Sequence, residues 1–296
     1  KIQLFNHQRI MSKTVTLANQ QNDALFVLIK SLTKSEKRQF NLYVGRLDGN
    51  VDAKFFSLFK FLEKLKVYDE KVIINSGIVT KQQLSNLKAH LYKQILISLR
   101  LNPAHKNIRI LIREQLDFAT VLYQKGLYKQ SLKLLDKAKN LALENEEKNI
   151  AYEIVELEKV IETQYITRSL SNRANQLSIQ AKTLSQQNVI ASKLSNLSLQ
   201  LYSHLLQNGY VKNNEELEFI NKYFYNKLPK YDFDSFGFRE KLWLYKSHLW
   251  FSFLCQDFVN SYKYARKWVD LFKEDKKHIV QHPVFYLKGI NYLLEA

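Results

Sequence analysis

The sequence contains very few residues that end helices or form turns. Only 7 glycines and 3 prolines occur among 296 residues. Leucine, lysine, tyrosine and phenylalanine instead recur at spacings of three and four residues along the chain. Glycine and proline mark most turns, and apolar residues at this spacing form one face of an α-helix. The sequence therefore predicts an all-α fold.

Cysteine and long apolar runs are also scarce. The single cysteine, Cys255, excludes a disulfide bond within the chain and favours a reducing, cytoplasmic location. No run approaches the ~20 apolar residues of a membrane-spanning helix, so no membrane partner is expected. The only methionine is Met11, which predicts that translation starts there and that residues 1–10 lie upstream; residues 1–11 are assigned to a leader segment.

The motifs that carry most enzymatic chemistry do not occur in the sequence. Glycine-rich phosphate-binding loops of the form G-x-G-x-x-G or G-x-x-x-x-G-K are absent, and so is a G-x-S-x-G nucleophile elbow. Cys255 lies in an apolar stretch and is expected to be a small core residue rather than a reactive thiolate. We therefore expect a protein that is not an enzyme and that binds no cofactor.

One set of residues has a spacing that suits metal ligation. Glu274, His278 and His282 fall four residues apart, which would place three ligands on one face of a helix. Pro283 follows directly and disfavours helical geometry at His282. A polar loop without a metal is therefore the favoured interpretation of this segment.

Positive charge is concentrated in the first third of the chain. The formal net charge is +17; residues 1–113 contain 20 Lys and Arg against 7 Asp and Glu, and the remainder contains 25 against 21. Such an asymmetry indicates an acidic partner for the N-terminal region. The alternative is a lysine-rich, solvated surface that has no partner.

Residues 12–105 are predicted to form a basic helical head. A first helix is predicted over 17–31. Thr33 and Glu36 follow it with the spacing of a capping box, in which the threonine hydroxyl and the glutamate carboxylate each accept from a backbone amide. This box predicts a second helix that runs to Leu47.

The rest of the head offers a nucleic-acid-binding alternative. Asp52 is a candidate N-cap, and the run 72–74 is the one short stretch that could be extended rather than helical. Thr80 and Gln83 form a second possible capping box, which predicts a helix to Arg100 in a helix-turn-helix-like arrangement. The alternative to that motif is an ordinary solvated amphipathic helix. In the nucleic-acid hypothesis, phosphates contact Lys34, Lys37, Arg38, Arg46, Lys81, Lys88, Lys93, Arg100, Arg109 and Arg113.

Residues 106–296 are predicted to form paired helices. Helices over 107–125 and 127–144 flank Gly126 with almost no loop, and such short links join antiparallel neighbours. Further helices are predicted over 148–167, 172–186, 189–207, 214–226, 236–254, 257–273 and 283–296.

The segment around Gly126 carries a recognisable pattern. Gly126 and Tyr128 form a Gly-x-Tyr at the turn, Ser131 is a small residue, and Leu135 and Ala138 occupy packing positions of the next helix. This pattern resembles the tetratricopeptide repeat, a unit of about 34 residues. Weaker matches to this repeat pattern occur at 250–268 and 206–210. The resemblance implies a right-handed solenoid of helix pairs that presents a groove to a protein segment.

The head shows a looser likeness to another group. Residues 28–38, Leu-Ile-Lys-Ser-Leu-Thr-Lys-Ser-Glu-Lys-Arg, resemble the opening of certain uncharacterised bacterial helical proteins. This likeness implies no activity.

The leading functional hypothesis is a non-enzymatic cytoplasmic scaffold or adaptor that holds a partner protein on the solenoid surface. Its candidate groove residues are Tyr123, Tyr245, Tyr262 and Arg266. Most of the aromatic run over 223–272 is expected in the core, and a minority of its residues could line a groove for a peptide or stack on bases. The glutamates of the acidic cluster are interpreted as a solvated face that pairs with Lys148 and Lys159; they are Glu144, Glu146, Glu147, Glu153, Glu156, Glu158 and Glu162. The sequence does not specify the oligomeric state.

Overall fold

The fold is all-helical in the part of the chain that the structure describes. This computed structural model describes residues 23–47, 54–102, 107–164 and 172–296, and these ranges contain helices, turns and no β-strand. The all-α prediction is confirmed for them. The described residues fall into two compact units, divided between Lys106 and Asn107. In these ranges no helix is both long enough and apolar enough to cross a bilayer.

The described residues of the N-terminal unit form a small bundle of five helices. They are α1 Ala24–Ser31, α2 Lys34–Gly45, α3 Lys54–Lys64, α4 Glu70–Asn75 and α5 Lys81–Leu101. Helices α1, α2 and α3 all pack against α5, and α1 also packs against α3. Fully buried phenylalanines from three of the helices, Phe26, Phe40 and Phe59, fill the centre of the bundle.

Of the two capping boxes predicted in this unit, one is confirmed and one is wrong. The capping box at α2 is confirmed: the Glu36 amide donates to Thr33 Oγ1 over 3.3 Å, and the Thr33 amide donates to the Glu36 carboxylate over 2.6 Å. At α5 the Thr80 side chain makes no capping bond, so the second box is wrong; a glutamine amide is a weaker acceptor than a carboxylate. Residues 72–74 lie in α4, because burial of Ile73 in the bundle favours the helix. Asp52 lies outside the described residues.

The C-terminal unit contains nine α-helices among its described residues, and a short 3₁₀ turn precedes α11. They are α6 Ile108–Gln124, α7 Tyr128–Glu144, α8 Lys148–Gln164, α9 Arg173–Asn208, α10 Asn214–Lys227, α11 Phe238–Leu254, α12 Phe258–Glu274, α13 Lys277–Gln281 and α14 Pro283–Glu295. Helices adjacent along the chain pack together through α6, α7, α8 and α9. The order then continues from α9 to α11, from α11 to α12, and from α12 to α14.

Three connections in this unit have the same backbone geometry. Each joins two helices of 17 residues through three residues, at 125–127, 145–147 and 255–257. The middle residue is left-handed each time, with φ of 74° at Gly126, 58° at Glu146 and 56° at Gln256. The following amide donates to a carbonyl five residues earlier, over 2.8–2.9 Å, which is the Schellman arrangement. These helices therefore start 20 residues apart, so two consecutive helices with their connections span 40 residues, longer than the 34-residue helix pair of a tetratricopeptide unit.

Helix α9 differs from its prediction. Two helices, over 172–186 and 189–207, were expected, whereas one helix runs from Arg173 to Asn208. Its first half buries Leu177 and Leu184 in the core shared with α6–α8. Its second half buries Leu197 and Leu201 against α10 and α11. Because both halves are held by tertiary packing and no Gly or Pro intervenes, the helix continues through Asn188.

Candidate partner-binding surface

Most of the predicted head cations lie on the surface of the N-terminal unit. Lys34, Arg38 and Arg46 are exposed on or just after α2, and Lys81, Lys93 and Arg100 are exposed on α5. Five residues, 76–80, separate α4 from α5, whereas a helix-turn-helix motif has a turn of three or four residues.

Two head lysines take part in contacts within the unit. Lys37 lies 3.4 Å from the Glu63 carboxylate. Lys88 forms a salt bridge with Asp23 and donates to the Tyr68 hydroxyl over 2.9 Å. Burial acts to lower the pKa of Lys88, but the bonds to Asp23 and Tyr68 leave it raised. Lys88 therefore joins α1 to α5, which limits its availability to an outside phosphate.

The two predicted phosphate contacts after residue 106 belong to α6. Arg109 lies 3.5 Å from Glu147, and Arg113 lies 3.7 Å from Glu153. Glu147 is buried, and this burial raises its pKa although Arg109, Arg239 and Arg113 oppose the shift. Both α6 arginines thus have carboxylate partners inside the C-terminal unit.

The predicted groove residues do not form one group. The Tyr123 hydroxyl donates to Gln164 over 2.8 Å, and its ring contacts Tyr128. Tyr262 is exposed on α12, where Arg266 pairs with Asp270 over 2.9 Å. Tyr245 is buried on α11. Of these four residues, Tyr245 is the one that contributes to the cluster described next.

Aromatic and basic side chains from α10, α11, α12 and the segment between α10 and α11 lie in one region, here named the aromatic–lysine surface. Its members are Tyr225, Tyr231, Tyr245, His248, Lys263, Tyr264 and Lys267. The Tyr264 ring stacks on His248 with centroids 4.4 Å apart and lies 6.5 Å from the Tyr245 ring. Lys263 lies 5.5 Å from the Tyr264 centroid, and Lys267 lies 5.7 Å and 5.8 Å from those of Tyr245 and Tyr264.

The helices orient this surface through the residues that they bury. On α10 the Phe224 ring is fully buried and stacks on Phe251 with centroids 4.2 Å apart, so the next residue, Tyr225, is exposed. On α12 the residues Ala265 and Trp268 are fully buried, which leaves Lys263 and Lys267 on the solvent side. Tyr264 lies at the border between the two sides and is half-buried.

The protonation states of these residues determine which groups of the surface can donate hydrogen bonds. Burial, followed by the positive charges of Lys267 and Lys263, lowers the pKa of His248 to about 4, so this ring is neutral at pH 7. Burial also raises the pKa of Tyr245 and of Tyr264, and both phenols therefore stay protonated. Ammonium and phenol groups at one place suit a carboxylate ligand.

Lys263 and Lys267 contact rings, whereas Lys139 of α7 and Lys148 and Lys159 of α8 contact carboxylates. Helices α11 and α12 contain seven Lys and Arg but three Asp and Glu, while α7 and α8 contain six of each kind. Lys139 is buried and bonds both oxygens of Glu158 over 2.7 Å and 2.8 Å, and Arg173 also contacts Glu158. No carboxylate lies within salt-bridge distance of Lys263 or Lys267 among the described residues.

The acidic cluster is only partly solvated, so that prediction is corrected. Glu158 is fully buried and Glu147 is nearly so, because Lys139, Arg173 and Arg109 supply the positive charges that allow carboxylates to be buried. Lys159 pairs with Glu156 over 2.6 Å, as expected. Lys148 pairs with Glu146 and, across the unit, with the buried Glu240 over 2.9 Å.

The segment that carries the two C-terminal histidines is not a polar loop. His278 lies in the short helix α13, is buried, and stacks on Phe238 with centroids 3.7 Å apart. The described residues contain no group of three potential metal ligands. Cys255 is half-buried, and its pKa is raised to about 11 by burial and by Asp257, which keeps the thiol protonated.

Sequence reasoning missed most of the aromatic–lysine surface. Rings of the run over 223–272 were expected mainly in the core, and Tyr225, Tyr231 and Tyr264 are at least partly exposed. The pairing of Tyr264 with Lys267 three residues later is a signal that the sequence does contain. The approach of Tyr225 and Tyr231 depends on tertiary packing.

Comparisons with known proteins identify no relative. No protein-family model matches the chain, and no match was found among curated proteins or solved structures.

Proposed function

We propose that the protein is a scaffold that binds an acidic segment of a partner protein through the aromatic–lysine surface. One observation supports this above all. Lys263 and Lys267 lie against the Tyr245 and Tyr264 rings, without a carboxylate at salt-bridge distance in the described chain. Their charge therefore remains uncompensated, and acidic groups are the chemical class that would neutralise it.

The ring contacts favour a protein over a nucleic acid at this surface. Bases bind single-strand surfaces by stacking on free aromatic faces. Here one face of Tyr264 is covered by His248, and the Phe251 ring is covered by Phe224. Hydroxyl groups and ammonium groups are left to make the contacts, and these bind side-chain carboxylates through charge-assisted hydrogen bonds.

The chain contains a matched control for this proposal. Lys133 and Lys137 are exposed on α7 and have the same four-residue spacing as Lys263 and Lys267 on α12. Both pairs follow one of the repeated left-handed turns at the same distance. Next to them α7 carries Leu134, where α12 carries Tyr264, so the control pair has the charge without that ring.

The test uses charge reversal and a nuclease-treated extract of the native cells. We expect Lys263→Glu with Lys267→Glu to weaken recovery of a stoichiometric partner, and to weaken binding of a labelled glutamate-rich peptide about tenfold or more. Lys133→Glu with Lys137→Glu should leave both unchanged. Equal binding by the two double variants, at equal thermal stability, would reject the proposed surface.

The same extract tests the nucleic-acid alternative. Lys34 and Arg38 lie one turn apart on the exposed side of α2, an arrangement that suits adjacent phosphates. Recovery that disappears after nuclease treatment, and that Lys34→Glu with Arg38→Glu abolishes, would favour this alternative over the scaffold.

A further inference from the structure

Lys246 on α11 is half-buried beside two aromatic rings, whereas Lys263 and Lys267 are exposed. Its Nζ lies 4.6 Å from the Trp243 ring centroid and 5.7 Å from the Phe285 ring centroid, so rings of α11 and α14 flank the amine. The two rings contact each other edge to face at 6.1 Å. Lys246 is half-buried, and the amine is therefore partly shielded from water.

The charge next to this amine is positive. Lys288, exposed on α14, is the charged residue whose field acts on Lys246. Among the described residues no carboxylate forms a salt bridge with Lys246, in contrast to the half-buried Lys88 and the buried Lys139 and Lys148. A second ammonium without a nearby acid both disfavours the charged form of Lys246 and attracts an anion to the site.

Burial, followed by the repulsion from Lys288, lowers the pKa of Lys246 to about 8. An ordinary lysine has a pKa near 10.4. The neutral amine is the nucleophile in acyl transfer, so a much larger fraction of Lys246 than of a solvated lysine is reactive at neutral pH.

We propose that Lys246 is a site of spontaneous acylation by acyl phosphates, whose phosphate group Lys288 holds. The neutral amine attacks the acyl carbon, and a C–N bond forms as the bond between the acyl carbon and the bridging oxygen breaks. Inorganic phosphate leaves beside the Lys288 ammonium, and the proton released from nitrogen passes to water. The product is a neutral amide, which removes one positive charge from α11.

The experiment measures acetylation of each lysine by peptide mass spectrometry after brief exposure of the full chain to acetyl phosphate. At pH 7.5 we expect Lys246 to react on the order of tenfold faster than the exposed Lys133 and Lys137, because more of it is neutral. Its rate should level off above about pH 8 to 9, whereas theirs should rise through pH 10. Reaction of Lys246 no faster than the exposed pair would overturn the site.

A second reagent separates phosphate binding from amine reactivity. Lys288→Gln should slow the reaction of Lys246 with acetyl phosphate more than its reaction with an uncharged acetylating ester. Any effect of the substitution on the reactivity of the Lys246 amine is the same for both reagents. Only acetyl phosphate carries a phosphate, so a larger reduction with this reagent measures the loss of phosphate binding. An equal reduction with both reagents would refute the role of Lys288. Lys246→Arg identifies the modified peptide, because its signal must disappear.

Discussion

At the scale of single residues, backbone conformation at the turns is the clearest constraint. Gly126 has φ of 74° and an open space where a Cβ would lie, so glycine is needed there for its backbone freedom rather than for close packing. Glu146 and Gln256 adopt the same conformation with a side chain. Tertiary contacts therefore impose this turn even where the residue does not favour it.

Two glycine substitutions should act in opposite directions. Gly126→Ala is expected to destabilise the protein by about 1 kcal/mol, because an L-residue is strained in the left-handed region. Gly45→Ala, at the end of α2 with nothing within 4 Å of the added Cβ, should stabilise it by roughly 0.5 kcal/mol. Denaturant unfolding of both variants measures the difference, and equal effects would contradict the account of the turn.

At the scale of helices, one buried ion pair joins α7 to α8. The buried Lys139 bonds the fully buried Glu158, and Arg173 from the start of α9 reaches the same carboxylate. Three successive helices thus meet around the Glu158 carboxylate, and the exposed Asp136 also lies 3.2 Å from Lys139. Removal of Glu158 leaves the buried Lys139 with Asp136 as its acidic partner, which compensates the buried charge less well.

This arrangement predicts a non-additive pair of variants. Glu158→Met should destabilise the protein by about 3 kcal/mol, because Lys139 keeps its charge in a buried position. Lys139→Met together with Glu158→Met should recover most of that loss, since apolar side chains of similar length can fill the space. The measurement is the free energy of unfolding in a double-mutant cycle. Additive losses would show that the ion pair itself is not the cause.

At the scale of the whole molecule, contacts between lysines and aromatic rings cluster in a different part of the sequence from the largest excess of positive charge. That excess lies before residue 114, whereas the clustered cation–ring contacts occur over 233–285. His248 lies within this region, where its ring stacks on Tyr264 and meets Phe224 edge to face. Its protonation therefore couples the stability of the unit to pH.

Acidification should destabilise the fold through His248. Its pKa is about 4 in the folded protein against an ordinary histidine value of 6.5, so between these values the unfolded chain binds a proton that the folded chain does not. Stability is lost as pH falls from 6.5 to 4, by at most about 3 kcal/mol. His248→Phe keeps a ring and should flatten the pH dependence of unfolding in this window. Parallel profiles of variant and wild type would contradict this assignment.

Features that depend on neighbours in the chain could be predicted from the sequence. The helical class follows from apolar spacing, the start of α2 from Thr33 and Glu36, and the α6–α7 turn from Gly126. Each depends on bonds between residues a few positions apart, whose free energy changes little with the surrounding fold.

Features that depend on distant residues required the tertiary structure. The continuity of α9, the burial of Glu158 and the electrostatic interaction of Tyr225 with Tyr264 each depend on a partner from another helix. Burial and charge compensation are energetically larger than local preferences, and they act between residues whose proximity only folding creates. The sequence by itself thus determined that helices form and where several of them begin, and the packing of those helices decided which charges are buried and which are left exposed beside aromatic rings.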